Sequence, residues 1–277
     1  MTLGARSTRT GNGWIGACLL VAIVWGPAMA SASGDAPADS LPPAPSDDLP
    51  VSLDELPYDL GEVSTFEIGY GPIKAGRATI TVEDTLTYFG QKVVHVRTRA
   101  RSNRFFDAFF KVRDQANSYI DADSLFARYY SKTLREGGYE RDVEIHFDQI
   151  DGIAYYPSGK ESKFPAPIHD VLSAFFRVRT LPLPPGASFR LPTHGDDEIY
   201  DLRIDVVRRE VRDTPLGRVR CVVVRPTLGD EGLFRHEGDL LVWFTDDERR
   251  VPVLMRATVP VGAIEARLTD YDPGGRR

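Results

Sequence analysis

Catalysis by this chain would have to come from five histidines, a serine close to a histidine and an aspartate, one cysteine beyond the first thirty residues, and several acidic clusters. His95, His146, His169, His194 and His236 stand in neither H-x-x-x-H, H-E-x-x-H nor cysteine-paired spacing, so no transition-metal ligand set is indicated. Ser173 follows His169 and Asp170, but an activated serine needs partners that converge in space and typically a strained G-x-S-x-G turn, which is absent. A serine packed between Leu172 and Ala174 inside a helix is the plainer account. Cys221 sits among valines in VRCVVVRP and reads as a buried, inert thiol. The acid and base cluster in LLVWFTDDERRVPV (Leu240 to Val253), DADS (Asp121 to Ser124) and HGDDE (His194 to Glu198) have turn compositions, and none matches a calcium-loop spacing. Two carboxylates from distant strands can act as a pair across ~5 to 10 Å. Nothing in the sequence selects such a pair. No catalytic residue, metal or cofactor is therefore assigned.

Binding chemistry is more visible. Phe105-Phe106, Phe109-Phe110, Tyr129-Tyr130, Tyr155-Tyr156 and Phe175-Phe176 are aromatic doublets holding ten of the 28 aromatic residues. Consecutive strand side chains point to opposite faces, so a doublet in a strand needs apolar cover on both sides or leaves a ring exposed. Either helices and loops cover the second face, or the rings line an apolar groove in which Arg104, Lys111, Arg113, Arg177 or Arg179 meets an anionic head group. Phe175, Phe176 and Arg179 are the expected lining of such a groove.

The elements that position these residues are mainly strands. Phe66, Ile68 and Tyr70 alternate, YGPIKAG turns the chain, and Ala78, Ile80 and Val82 repeat the pattern. From Tyr139 to Asp148, Tyr139, Val143, Ile145 and Phe147 share a face with Arg141, while Glu140, Asp142, Glu144, His146 and Asp148 take the other, as one wet side of an antiparallel sheet allows. Further strands are predicted at about 87–101, 113–121, 125–136, 150–156, 187–193, 198–212, 217–226, 238–245, 250–259 and 262–271. Ser102 to Val112 can form a helical turn or two. His169 to Leu181 is the best helix, capped by Asp170, stopped by PLPPG and apolar on more than one face, so a buried helix over about 169–180 is predicted. The fold class is mainly β: a large, antiparallel, strongly curved sheet or partly open barrel with this helix in its concavity. TDDERR then becomes a hairpin tip, with Pro252 at an edge or bulge because it lacks an N–H.

Three segments are expected. Residues 1–30 carry Arg6 and Arg9, no acid, an apolar run from Trp14 to Trp25 and the small-residue pattern PAMA, which reads as a secretory signal peptide cut after Ala30. The run is too short to span a bilayer, so no transmembrane span is expected in the mature chain. Residues 31–60 hold seven acids, no base and many prolines, a disordered acidic leader. Residues 61–277 are then a single β domain with 33 acids against 32 bases, a balance that excludes a nucleic-acid field. With Cys221 alone in the mature part, no internal disulfide can form.

YGPIKAG (Tyr70 to Gly76), FKVRDQANSYID (Phe110 to Asp121), EGGY (Glu136 to Tyr139), DVLSAFFRVRTL (Asp170 to Leu181), TPLG (Thr214 to Gly217) and WFTDDERRVPV (Trp243 to Val253) occur in an order that resembles the bacterial exported family called domain of unknown function 3108. The family usually has aromatics after LSAF, where this chain has Phe176 and then Arg177. The resemblance implies a periplasmic, mostly antiparallel curved sheet or partly open barrel, similar in outline to envelope lipoprotein carriers, and no particular activity. The expected function is a non-enzymatic envelope protein binding an apolar or amphipathic ligand, a lipid or glycolipid. The alternatives are a hydrolase or carbohydrate-processing enzyme with paired carboxylates, and a scaffold meeting partners through a sheet edge.

Overall fold

The computed structural model describes residues 56–196, 198–228, 240–259 and 262–275. The expected signal peptide, nearly all of the expected leader and His236 lie outside them. In chain order the elements are β1 (Val63–Tyr70), β2 (Ile73–Tyr88), β3 (Gln91–Ser102), α1 (Arg104–Asp107), β4 (Arg113–Asp121), β5 (Ala127–Glu136), β6 (Tyr139–Asp148), β7 (Ile153–Tyr155) and β8 (Glu161–Lys163). There follow β9 (His169–Asp170), α2 (Val171–Thr180), β10 (Ser188–Gly195), β11 (Glu198–Thr214), β12 (Gly217–Leu228), β13 (Leu240–Thr245), β14 (Pro252–Thr258) and β15 (Ala263–Asp272). Among the described residues fifteen strands form one sheet, in the order β8 to β1 and then β15 to β9. Every neighbouring pair is antiparallel except β9 with β10. Among the described residues no helix is long and apolar enough to cross a membrane.

The sheet curls because its strands twist and because bulges bend them. Register shifts fall at Thr65/Phe66, Ile68/Gly69, Val82/Thr85, Tyr119/Ile120, Trp243/Phe244 and Val206/Arg208. Two of these bend the longest strands, β2 and β11. Pro252 stands opposite Phe244 at one shift, where the ladder needs no N–H. The β2–β3 turn falls at Phe89 and Gly90, both at positive φ, two residues beyond the predicted start of that strand.

The edges β8 and β9 share no ladder, so the curl stops short of a hydrogen-bonded barrel. The Gln149 side chain and one backbone bond bridge the seam. Gln149 Nε2 donates to Ala127 O and Ile168 O (2.5 and 2.9 Å), its Oε1 accepts from Ile168 N (3.0 Å), and Ala127 N donates to Ile168 O (3.3 Å).

Alternation sorts the inward side chains, and they differ along the barrel-like axis. At one end Phe66, Val82, Val96, Ile120, Val222 and Met255 are fully buried. Helix α2 covers them through Leu172, Phe176 and Val178, with Leu56 and Tyr58 from the stretch just before β1. Residues 56–60, assigned by composition to the leader, thus belong to the packed body. Two residues further along the same faces, towards the other end, stand Ala257 and Ile264, paired with each other and with Leu240 and Tyr70. These, with Ala100, Val143 and Leu202, are only partly buried. The interior is therefore plugged at one end and less covered at the other.

Helix α2 begins at Val171 after Asp170, which accepts from the N–H groups of Leu172 (2.7 Å) and Ser173 (3.0 Å) while Ser173 Oγ accepts from Asp170 N (2.8 Å). Ser173 is thus half of a capping box. The TDDERR segment is a hairpin tip: Asp247 Oδ1 accepts from Thr245 Oγ1 and from the N–H groups of Arg249 and Arg250, and Asp246 pairs with Arg209 and Arg250. The Ser102–Val112 stretch contains a single helical turn, α1, capped by Asn103.

Candidate functional site

On β5 the inward positions are Tyr130, Lys132, Leu134 and Glu136, and on β4 they are Asp114, Ala116 and Ser118. Polar groups on the inner face must find partners there, because burying them unpaired is costly. Lys132, only 4% exposed, crosses the seam to Asp196 in the β10–β11 turn at 2.5 Å. Arg141 on β6 reaches the other oxygen of Asp196 at 3.3 Å. Beside them the Tyr156 hydroxyl lies 3.2 Å from His194 Nε2, and Phe147 packs edge-on against the His194 ring at 5.4 Å. Burial pushes the Lys132 ammonium down, against the pull of Asp196. The seam thus holds two cations around one carboxylate, at the less covered end of the interior.

Next to it is a carboxyl pair. Asp114 and Glu136 are both buried, and Asp114 Oδ1 accepts from Arg135 N at 2.9 Å. Burial, with the neighbouring Glu136 charge, pushes Asp114 up to about 7. Such a pair can share a proton near neutral pH. Deeper in, Asp170 accepts from Ser118 Oγ at 2.6 Å, and burial holds its pKa at about 6 despite that bond and those of its helix cap. Burial also lowers His169 to about 3, so its ring is neutral through the physiological range. On the outer face His146, expected to be merely solvated, bonds the Tyr88 hydroxyl and lies 3.2 Å from Glu144, within a cluster that includes Tyr119 and Tyr129.

The residues expected from the sequence lie at the plugged end. Phe176 is buried and packs edge-on against Tyr58 at 4.7 Å, with the Arg179 guanidinium over both rings at 5.3 and 5.1 Å. Phe175 is partly buried and faces Phe244 at 5.4 Å. Arg179 grips both oxygens of Glu62 at 2.6 and 3.0 Å and donates to the backbone oxygens of Pro57 and Arg249. Phe176 and Arg179 are therefore brought together, and the Phe175 ring stands edge-on to that of Phe176 at 5.9 Å. Lys132, Arg141, Asp196, Asp114 and Glu136 were missed. Their signal was there for the first strand: a Lys and a Glu share a face with Tyr130 and Leu134, which breaks the apolar alternation. Asp196, distant in sequence, carries no such mark.

No curated protein matches the sequence significantly. Among solved structures, the chain is similar to a beta-barrel-like protein of domain of unknown function DUF1849 from Brucella abortus, with 10% identity and a TM-score of 0.52 over 79% of this chain and 99% of that one. At that identity the likeness shows the fold alone. Two weaker likenesses, each with a TM-score of 0.36, are to a protein described as exported with a YmcC-like fold from Bacteroides fragilis and to one described as a lipoprotein from Parabacteroides distasonis. They share 11% and 10% identity, cover 78% and 79% of this chain and span 98% and 99% of their own. A family model described as protein of unknown function (DUF3108) matches residues 65–269, and the chain belongs to that family.

Proposed function

We propose that this protein binds an amphipathic, lipid-like ligand at the less covered end of its curved sheet, without catalysing a reaction. The observation that carries this is the division of the inner wall there. Ala100, Leu202, Leu240, Ala257 and Ile264 form a partly buried apolar side, and Lys132 and Arg141 supply paired cations at the seam. An acyl chain suits the first and an anionic or glycosidic head group the second. Phe175 and Phe176 then form the floor of the chamber, and Arg179 fixes that floor to β1. Residues 1–30 act as a signal peptide cleaved after Ala30, and the mature protein works in the periplasm.

Native mass spectrometry and solvent extraction of the chain purified from its own periplasm test this. The expected result is a co-purifying lipid or glycolipid whose amount falls at least about tenfold in Lys132→Met. A chain that is consistently empty, alone and after incubation with envelope lipids, overturns it.

A second reading is favoured by one observation, the Asp114–Glu136 carboxyl pair with Asp114 raised to about 7. A raised carboxyl beside a second one is the equipment of acid-base hydrolysis. In that case turnover of a panel of chromogenic glycosides and esters appears and is lost in both Asp114→Asn and Glu136→Gln; no turnover of any member sinks it. A scaffold working through a sheet edge has less support, since β8 and β9 have three and two residues and present little free ladder.

A further inference from the structure

The β3–β4 connection carries the most exposed aromatic pair beside a basic surface. Phe105 is 67% exposed and Phe109 77%, and their rings lie 5.5 Å apart. Ile73 at the start of β2 is exposed as well. These rings are held out, not loose. Asn103 caps α1 through Phe106 N (3.0 Å) and ties it to β2 through Lys74 O (2.6 Å) and Ala75 O (2.9 Å). Asp107 is clamped by Arg113 at 2.6 and 3.0 Å, and Phe110 packs over Gly137, where a Cβ would meet its ring at 2.8 Å. A rigid segment that keeps two phenyl rings in water gives up stability, which marks such patches as contact sites.

The surroundings choose the partner. Arg101, Arg104, Lys111 and Lys74 are all exposed around the rings, and Arg101 and Arg104 make no ion pair among the described residues. The acid nearest the rings, Asp107, is neutralised by Arg113. Two ring tips on one helical turn are too small for a stable protein interface, which needs ~800 Å² per partner. They suit an interface that accepts a small apolar wedge ringed by cations, as a bilayer of anionic phospholipid does. The knuckle also stands on the end of the sheet where Ser102 and Val112 adjoin Glu136 and the β5–β6 turn, the less covered end.

We propose that the Phe105–Phe109 knuckle docks this end of the protein onto an anionic phospholipid surface, with the rings in the acyl boundary and Arg101, Arg104 and Lys111 on head-group phosphates. The proposal goes beyond ligand binding and rests on different residues. Its test is co-sedimentation of the full chain with vesicles of phosphatidylglycerol and phosphatidylethanolamine, against vesicles of phosphatidylcholine. The chain and its variants are purified from the periplasm, as in the ligand test, so all have undergone the same processing. Binding is expected to favour the anionic vesicles, to weaken as salt rises, and to fall at least about tenfold in Phe105→Ser/Phe109→Ser. Arg101→Glu/Arg104→Glu is expected to lose about as much and to abolish the lipid preference. Both pairs are on the surface, so unchanged circular dichroism and melting confirm that the fold is intact. Equal binding to both vesicle types, or no change in the phenylalanine variant, overturns the proposal. So does a variant that loses self-association while its vesicle binding is unchanged, which would assign the knuckle to a second copy of the chain. Lys132→Met is expected to leave vesicle binding unchanged, which separates failure of the docking site from failure of the ligand chamber.

Discussion

Two buried ion pairs stand at opposite ends of the interior. At the plugged end Arg179 and Glu62 are 1% and 3% exposed at the side chain, meet through two hydrogen bonds, and are enclosed by Tyr58, Phe176, the Tyr271 hydroxyl and two backbone oxygens. At the seam Lys132 is as deeply buried, but its partner Asp196 is 22% exposed and is shared with Arg141. The first pair has its hydrogen-bonding capacity largely spent inside the protein and joins helix, first strand and the β13–β14 turn. The second keeps a carboxylate with access to solvent, shared between two cations. Burial of the cation alone does not distinguish structure from function; what separates the two pairs is whether the carboxylate reaches solvent.

The largest effect expected from this contrast is at the plugged end. Arg179→Met leaves Glu62 buried without its cation and is expected to cost about 3 to 5 kcal/mol in urea unfolding. Adding Glu62→Leu should recover much of that loss, and no recovery would mean that the pair is not the reason for the cost. An intermediate effect is expected from the carboxyl pair. The Asp114 carboxyl titrates at about 7 in the fold against an ordinary 3.8, so the folded state holds more protons between those values. Its contribution to stability is full below about pH 4 and is lost as pH rises through about 7. Relative to Asp114→Asn, the native chain should therefore lose on the order of 3 to 4 kcal/mol between those limits, read from urea midpoints at each pH. No slope would show that Asp114 ionises normally, and the opposite slope that the fold lowers its pKa. The smallest effect belongs to Lys132→Met, expected to change stability by less than about 1 kcal/mol, because it removes a buried ammonium while Asp196 keeps Arg141 and solvent. A loss as large as that of Arg179→Met would erase the distinction between the two ends.

Local patterns made most of the fold legible. The predicted strand from Tyr139 to Asp148 has the bounds of β6, although Tyr139 at its start is exposed, and Asp170 caps the ten-residue helix α2. Pro252 falls at a bulge for the reason its missing N–H implies. The candidate site was less legible. Phe175, Phe176 and Arg179 stand out as aromatic and cationic neighbours on one helix, yet Arg179 finds its carboxylate 117 positions away in Glu62. Lys132 and Asp196 are 64 positions apart and meet only because the sheet curls until β5 faces the β10–β11 turn. No local period encodes that meeting.

By itself the sequence determined a β-rich chain with a buried, well-capped helix, a hairpin at TDDERR, a nearly neutral body, and the family to which residues 65–269 belong. These are properties of neighbouring residues: side-chain period, capping, turn chemistry and composition. Only the tertiary structure decided which end of the interior is plugged, which buried ion pair reaches solvent, and which aromatic rings stay in water. Those depend on how far a sheet of fifteen strands curls before its edges meet. That curl sums twist and bulges over the whole sheet, so small local terms fix contacts between residues that the sequence keeps far apart.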